Sequence, residues 1–379
     1  MPVNFGIAGA GLSGAVVARR LADAGHSVTV FDRRPHIAGN CHTERDDDTD
    51  VMIHRYGPHI FHTSNQTAWD WVNRFADMVP FRLAVKTTVD GFVYSLPVNL
   101  HTINQVFGTA MRPAEAEAFI ARLAERCDDP ANFEQAAVAA VGRRLYQLFF
   151  EGYTTKQWGR HPATIPASVF RRLPVRFDYD DNYFTHRWQA IPRDGYTAMI
   201  EAMLHSPNIT VHTGREYPSS PTMFDHTIWT GPIDAYFQHR HGRLAYRTTQ
   251  FVNVTSDGDY QGTPLMNYGD VSVPFTRITE HKHFAPWETH DRTVTSAEYS
   301  SEAGPGDEPF YPVRADTDIV RLHAYLNAAT NTPAVTFVGR LATYRYLDMD
   351  VTITEALHAA DIILTAPGRI PSITHKETH

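Results

Sequence analysis

Two features of this sequence could do chemistry together: a glycine turn suited to a diphosphate, and arginines set among aromatic residues. Gly9-x-Gly11-x-x-Gly14 follows the short apolar run Phe5-Gly6-Ile7-Ala8 and opens a stretch of helix formers from Ala15 to Ala24. Glycines there permit a tight turn, let backbone N–H groups approach a pyrophosphate, and set the positive end of a helix against it. Asp32 closes the next apolar run, Ser27-Val28-Thr29-Val30-Phe31. A carboxylate so placed accepts hydrogen bonds from ribose hydroxyls and disfavours a 2′-phosphate. On these residues alone FAD, NAD and their relatives all stay open as the dinucleotide.

The chain carries a formal net charge of -8, which argues against a delocalised basic face for nucleic acid or acidic lipid, so an anionic ligand must be met by local arginines. Arg172 and Arg277 are the candidates. Both lie in aromatic, proline-bounded blocks, and the guanidinium fork matches paired phosphate oxygens. Tyr183, Tyr311 and Tyr346 could donate phenolic hydrogen bonds to the same oxygens. Phe149, Tyr153 and Trp158 are spaced across the end of one helical segment, and Phe149 also continues its apolar face as a core residue would. His59 and His62 are two of 21 histidines. Neither has a third ligand at zinc-like spacing, and Cys41 and Cys127 are too few for a thiolate cluster or disulfide framework, so no metal site is expected.

Elements that could position these residues are legible along the chain. With 379 residues, 42% hydrophobic and 20% charged, composition is that of a folded protein with more than one substructure. The run from Phe5 to Phe31 reads strand, turn, helix, strand, the first unit of a doubly wound α/β sheet. Between Thr109 and Phe150 apolar residues recur at helical spacing, and from Thr154 to Asp194 prolines predict loops and short turns. Leu244 to Tyr311, rich in Thr, Val, Tyr and Phe with turn punctuation, predicts an antiparallel sheet. Thr336-Phe337-Val338-Gly339 predicts a last buried strand, followed by a helix from Val351 to Leu364. A start without a signal-like segment, and no run of about 20 apolar residues, predict a cytoplasmic protein without a membrane partner.

Several blocks then favour flavin over nicotinamide. Asp32-Arg33-Arg34-Pro35-His36-Ile37-Ala38-Gly39-Asn40, Gly57-Pro58-His59-Ile60-Phe61-His62-Thr63, Gly152-Tyr153-Thr154-Thr155-Lys156-Gln157-Trp158-Gly159, Val273-Pro274-Phe275-Thr276-Arg277, Glu280-His281-Lys282-His283-Phe284 and Gly339-Arg340-Leu341-Ala342 together resemble the UDP-galactopyranose mutases. These are flavoenzymes that interconvert pyranose and furanose rings of a nucleotide sugar. The resemblance implies a discontinuous Rossmann-type FAD-binding domain (residues 1–78, 189–240 and 318–379), a helical domain with a mobile loop (101–175) and an antiparallel sheet domain (79–100, 176–188 and 241–317). It implies FAD held by Gly9, Gly11, Ser13, Gly14, Asp32, Arg33, Gly39, Asn40, His59, Arg340, Asp348 and Met349. Substrate would meet Phe149, Tyr153, Trp158, Tyr183, Arg247, Asn267, Tyr311 and Tyr346, with an aromatic ring on the base.

Arg172 and Arg277 would clamp the diphosphate while His59 stands beside the flavin, which acts in its reduced form by N5 attack on the anomeric carbon. A homodimer and an external reductant such as NAD(P)H belong to the same expectation. Phe81 to Lys86 and Met266 to Asp270 depart from the family pattern, so a 6-deoxy sugar or another base stays open beside UDP-galactopyranose. An FAD-dependent oxidoreductase and a non-catalytic flavin scaffold are the alternatives from other classes.

Overall fold

Strands Asn4–Ala8 and Ser27–Asp32 are almost wholly buried and pair in parallel, with helix Leu12–Asp23 crossing between them. Val16, Val17 and Leu21 on that helix are fully buried, so the β-α-β unit expected from periodicity forms. In the computed structural model, which describes residues 2–172, 175–218 and 223–365, this unit is the centre of a five-stranded parallel sheet. Its order is Ile209–Thr213, Ser27–Asp32, Asn4–Ala8, His226–Trp229, Val335–Phe337. The order reverses direction at Asn4–Ala8, where a crevice opens at the carboxyl ends of the strands. Helices Leu12–Asp23, Gly195–Leu204 and Met349–Thr365 share one apolar core with this sheet.

A second sheet of seven strands runs Tyr311–Pro312, Tyr246–Asp257, Arg292–Glu302, Arg277–Glu280, Leu265–Tyr268, Val85–Val89, Phe92–Leu96. All neighbours are antiparallel except Leu265–Tyr268 and Val85–Val89, which are parallel. The sheet is therefore mixed rather than purely antiparallel. Val85–Val89 comes from far upstream, and no hairpin imposes an antiparallel pairing on it. Direct pairing brings Asn267, Arg277, Glu298 and Phe251 side by side on adjacent strands, and residues so paired share a face.

Helices Leu100–Phe107, Pro113–Leu123 and Phe133–Tyr146 pack around a second apolar core. Where loops were expected from Thr154, the chain instead turns through a π-helical Gln147–Glu151 into helix Gly152–Trp158. That helix stops at Gly159, which is left-handed (φ 65), and only then do the short 3-10 turns Pro162–Thr164 and Ala167–Arg172 follow. Among the described residues no helix is long and apolar enough to cross a membrane.

Candidate functional site

The glycine turn is built for a ligand that comes close to backbone. A Cβ on Gly14 would lie 2.0 Å from the Gly9 carbonyl oxygen, so only glycine lets helix Leu12–Asp23 start this near the strand. Asp32 is buried and accepts from the Ala10 N–H (2.8 Å) and the Arg34 N–H (2.9 Å). It therefore fixes the turn as well as offering lone pairs to a ribose. Gly39 approaches Gly11, with its Cβ position 3.1 Å from the Gly11 Cα, and Gly339 approaches Ser13, with its Cβ position 2.5 Å from Ser13 Oγ. Ala38 adopts φ 72, a left-handed conformation that costs an alanine about 1 kcal/mol.

Around this cradle Arg34 donates to Asn40 Oδ1 (2.9 Å) and, together with the more exposed Arg33, to Glu308 (2.6 Å each). Arg34 Nη1 and His62 Nδ1 are buried with no hydrogen-bond partner among the described residues. Met349, at the start of its helix, meets the Cys41 thiol. Orphaned polar atoms beside a cleft that added Cβ atoms would fill suit a large polar dinucleotide, and this donor and acceptor set fits FAD.

The second group of residues gathers around Arg277. Its Nε lies 2.7 Å from Glu298 Oε1 in an ion pair, and its terminal amino groups make no hydrogen bond among the described residues. Burial opposes the charge, yet Glu298, with Tyr153 and Tyr311, holds the guanidinium well above its ordinary range. Tyr153, Tyr183 and Tyr311 are all pushed up by burial, Tyr153 to about 12, while the positive charge of Arg277 pulls each of them down. Tyr311 stacks on Tyr346 with centroids 5.6 Å apart, and the Arg340 guanidinium sits 4.9 Å from the Tyr346 ring. Arg340 also donates to the Leu347 carbonyl (3.0 Å), tying this cluster to the segment that leads through Asp348 into the Met349 helix. Asn267 is the strand partner of Arg277. Four predicted residues, the half-buried Arg277, Tyr153, Tyr183 and Tyr311, thus share one electrostatic environment, with the more exposed Tyr346 at its edge.

His59 joins the two groups. Its side chain keeps some accessible surface because it lines the cleft, yet it lies deep in the protein. That burial, with Arg340 and Arg277 adding, pushes its pKa down to about 4. Nδ1 faces the Gly57 carbonyl at 2.9 Å, so the neutral ring carries its proton there and leaves Nε2 as an acceptor. Behind it the His59 N–H meets His54 Nδ1 (3.3 Å) and the His54 N–H meets His281 Nδ1 (3.2 Å). His281 Nε2 bonds Ser296 Oγ (2.6 Å), which donates to Asn253 (2.7 Å). Burial holds His54 well below its usual value and His281 at about 3.

Other predicted residues are placed differently. Phe149 is buried in the helical core, edge-on to Tyr94 at 5.1 Å, and Trp158 packs half-buried against that same core. Arg247 is buried and donates to the Gln157 carbonyl (3.0 Å) and Ser300 Oγ (3.1 Å), at the end of helix Gly152–Trp158. The Arg172 side chain lies outside the described residues. Sequence reasoning missed Glu298, whose only available signal was a charge in an otherwise Thr- and Ser-rich strand. It also missed Lys156 and the His54–His281 chain, although His281 lay in a noted block.

Comparison with known proteins bears on the family and the fold. A family model described as UDP-galactopyranose mutase matches residues 148–346, and one described as NAD(P)-binding Rossmann-like domain matches residues 7–75. A Klebsiella pneumoniae protein named "Probable UDP-galactopyranose mutase" is 51% identical over 96% of this chain and 95% of its own length. The dTDP-fucopyranose mutase of Escherichia coli is 46% identical over 94% of this chain and 97% of its own. The crystal structure of a reduced UDP-galactopyranose mutase superposes with a TM-score of 0.72 over 96% of both chains at 15% identity, a likeness of fold. A putrescine oxidase shares that fold more distantly, with a TM-score of 0.56 at 13% identity over 96% of this chain and 99% of its own.

Two outcomes follow from this geometry. Asp32→Ala leaves one buried and one part-buried N–H group without its acceptor, so it should cost about 1–3 kcal/mol of stability and purify with little bound dinucleotide. Denaturant unfolding and absorbance after dialysis check both; full retention of the cofactor would remove Asp32 from its site. The neutral histidines make stability pH-dependent. Because His59 and His281 are depressed from 6.5 to about 4 and about 3, protons bind the unfolded chain first. Stability is full above about pH 6.5 and falls on acidification towards the folded values, by on the order of 3 kcal/mol. Denaturant midpoints between pH 7.5 and 4.5 should show this fall, and a shallower one in His281→Gln; equal slopes would contradict the assignment.

Proposed function

This chain belongs to the UDP-galactopyranose mutase family, and we propose that it interconverts the pyranose and furanose forms of a nucleotide sugar, UDP-galactopyranose first among them. The observation that carries the reading is Arg277. A half-buried guanidinium, ion-paired at Nε with Glu298 and within the electrostatic reach of Tyr153 and Tyr311, is well suited to an anion arriving beside the dinucleotide site. A nucleoside diphosphate leaving the anomeric carbon is such an anion.

The mechanism follows from what each group can hold. Arg277 neutralises the departing diphosphate, joined by Arg172 on the resemblance, and the hydroxyls of Tyr153, Tyr183, Tyr311 and Tyr346 donate to its oxygens. A low-dielectric cleft strengthens each of these contacts. Reduced FAD would supply the electron-rich nucleophile for the anomeric carbon, held by the Gly9–Gly14 turn, Ser13, Asp32, Gly39 and Met349. His59, neutral and with Nε2 open, can accept a proton as the ring opens and return it on closure. Arg340, stacked on Tyr346 and bonded to the Leu347 carbonyl, keeps the cofactor side and the diphosphate side in register. Arg247 shapes the site through helix Gly152–Trp158. The same reading takes the protein as a cytoplasmic homodimer supplied by an external reductant such as NAD(P)H.

The names of the two relatives set the substrates to try. UDP-galactopyranose is preferred on the higher identity, and dTDP-fucopyranose is the comparison. With dithionite-reduced protein, chromatography should resolve the furanose form of one of them, without electrons consumed per turnover, and oxidised protein should be nearly inactive. One reductant equivalent spent per turnover would contradict the mutase reading and favour an FAD-dependent oxidoreductase. Arg277→Ala should lose about 2–5 kcal/mol of transition-state stabilisation while keeping its flavin; activity near wild type would take Arg277 out of the site.

A further inference from the structure

Lys156 is bonded in a way that surface lysines are not. Its ammonium lies 2.7 Å from the Tyr268 carbonyl oxygen, 2.9 Å from that of Asp270, 3.1 Å from Val273 and 2.9 Å from Phe275. Three protons shared among four carbonyls close a single turn of chain around one cation, a task for a compact ammonium rather than a planar guanidinium. The turn so held joins strand Leu265–Tyr268 to strand Arg277–Glu280, and so carries Asn267 at one end and Arg277 at the other. Lys156 itself stands on helix Gly152–Trp158 between Tyr153 and Trp158.

Other contacts make this junction tight. A Cβ on Gly152 would lie 2.1 Å from the Gly269 carbonyl oxygen, so helix and turn meet there backbone to backbone. At the far end of the helix the Gln157 carbonyl accepts from Arg247 (3.0 Å) and Ser300 (2.7 Å). Helix Gly152–Trp158 is thereby fastened to the sheet at its start, middle and end.

We propose that Lys156 is a positioning residue that fixes the separation between the helix bearing Tyr153 and Trp158 and the turn bearing Arg277, and so sets the nucleoside-diphosphate subsite. The proposal rests on the nucleotide-sugar reading above. Burial pulls the ammonium down to about 8 against the Asp270 charge that favours it, which is the cost of enclosing a cation there. Removing it frees the turn, and the arginine and tyrosine that must grip the same diphosphate no longer hold a common geometry.

Lys156→Met preserves the bulk of the stem without the charge, and Lys156→Ala leaves room for n-propylammonium. Amide exchange across residues 268–276, affinity for UDP and for dTDP, and flavin content are measured on the whole protein. Both variants should exchange faster in that turn, bind the preferred nucleotide about tenfold or more weakly and keep their flavin. Propylammonium should restore affinity to Lys156→Ala and not to Lys156→Met. Unchanged exchange would overturn the clamp, and faster exchange at wild-type affinity would overturn the positioning role. Arg277→Ala should lose affinity without faster exchange, which separates gripping the ligand from placing the grip. A wild-type protein that binds neither UDP nor dTDP would overturn the nucleotide-sugar reading, and the subsite with it.

Discussion

A guanidinium largely withdrawn from water needs a counter-charge, and supplying one for the half-buried Arg277 organises much of this structure. Desolvating an isolated ion costs several kcal/mol, and a single removed partner is felt far more than the pair itself contributes. Glu298 answers from the directly paired position on the next strand, so the pairing register of the seven-stranded sheet is at once a constraint on the site. A one-residue slip would send Glu298 to the opposite face and leave Arg277 uncompensated. With the ion pair anchored at Nε, the terminal amino groups stay available to a ligand whose charge is negative.

The other half of the site is arranged around lost charge rather than kept charge. His54, His59 and His281 form a backbone-linked series in which each ring is held neutral by burial. The backbone N–H accepted at Nδ1 fixes the tautomer of His54 and of His281, and the Gly57 carbonyl facing Nδ1 fixes that of His59. Two arginines, Arg340 and Arg277, reinforce neutrality at His59. Cationic grip and neutral acceptor therefore coexist within one cleft because the same positive charges create both. Gly57, whose Cβ position is 3.4 Å from the Phe251 ring and 3.8 Å from Glu298 Oε1, presses the histidine loop against the sheet and keeps the two halves together.

How far this could be seen in the sequence differed by residue. The first β-α-β unit and its Gly9–Gly14 turn were legible because strand period, glycine spacing and the terminal Asp32 are all local. Arg277 was legible through its aromatic and proline-rich neighbours. Glu298 was not, since what makes it matter is a cross-strand pairing that no local pattern encodes. Lys156 was hidden for the same reason: its four carbonyl partners lie more than a hundred residues away in the chain. The parallel partner of Leu265–Tyr268 and the extension of helix through Trp158 escaped because each is decided by tertiary packing. Phe149 fitted both a base-stacking ring and a core stripe; its burial against Tyr94 is the packing that periodicity suggested. Arg247, expected beside the substrate on the resemblance, has donors directed to the end of helix Gly152–Trp158, a contact that no local pattern encodes.

If the Glu298 carboxylate is what aims Arg277 at the diphosphate, the two residues must act as one unit on ligand affinity. The direct measurement is a double-mutant cycle of Arg277→Ala and Glu298→Gln, with UDP dissociation constants for all four proteins. Glu298→Gln should weaken binding in the wild-type background, yet leave affinity unchanged or improved once Arg277 is gone, a coupling of about 1 kcal/mol or more. An equal loss in both backgrounds would contradict the claim that this ion pair makes the site.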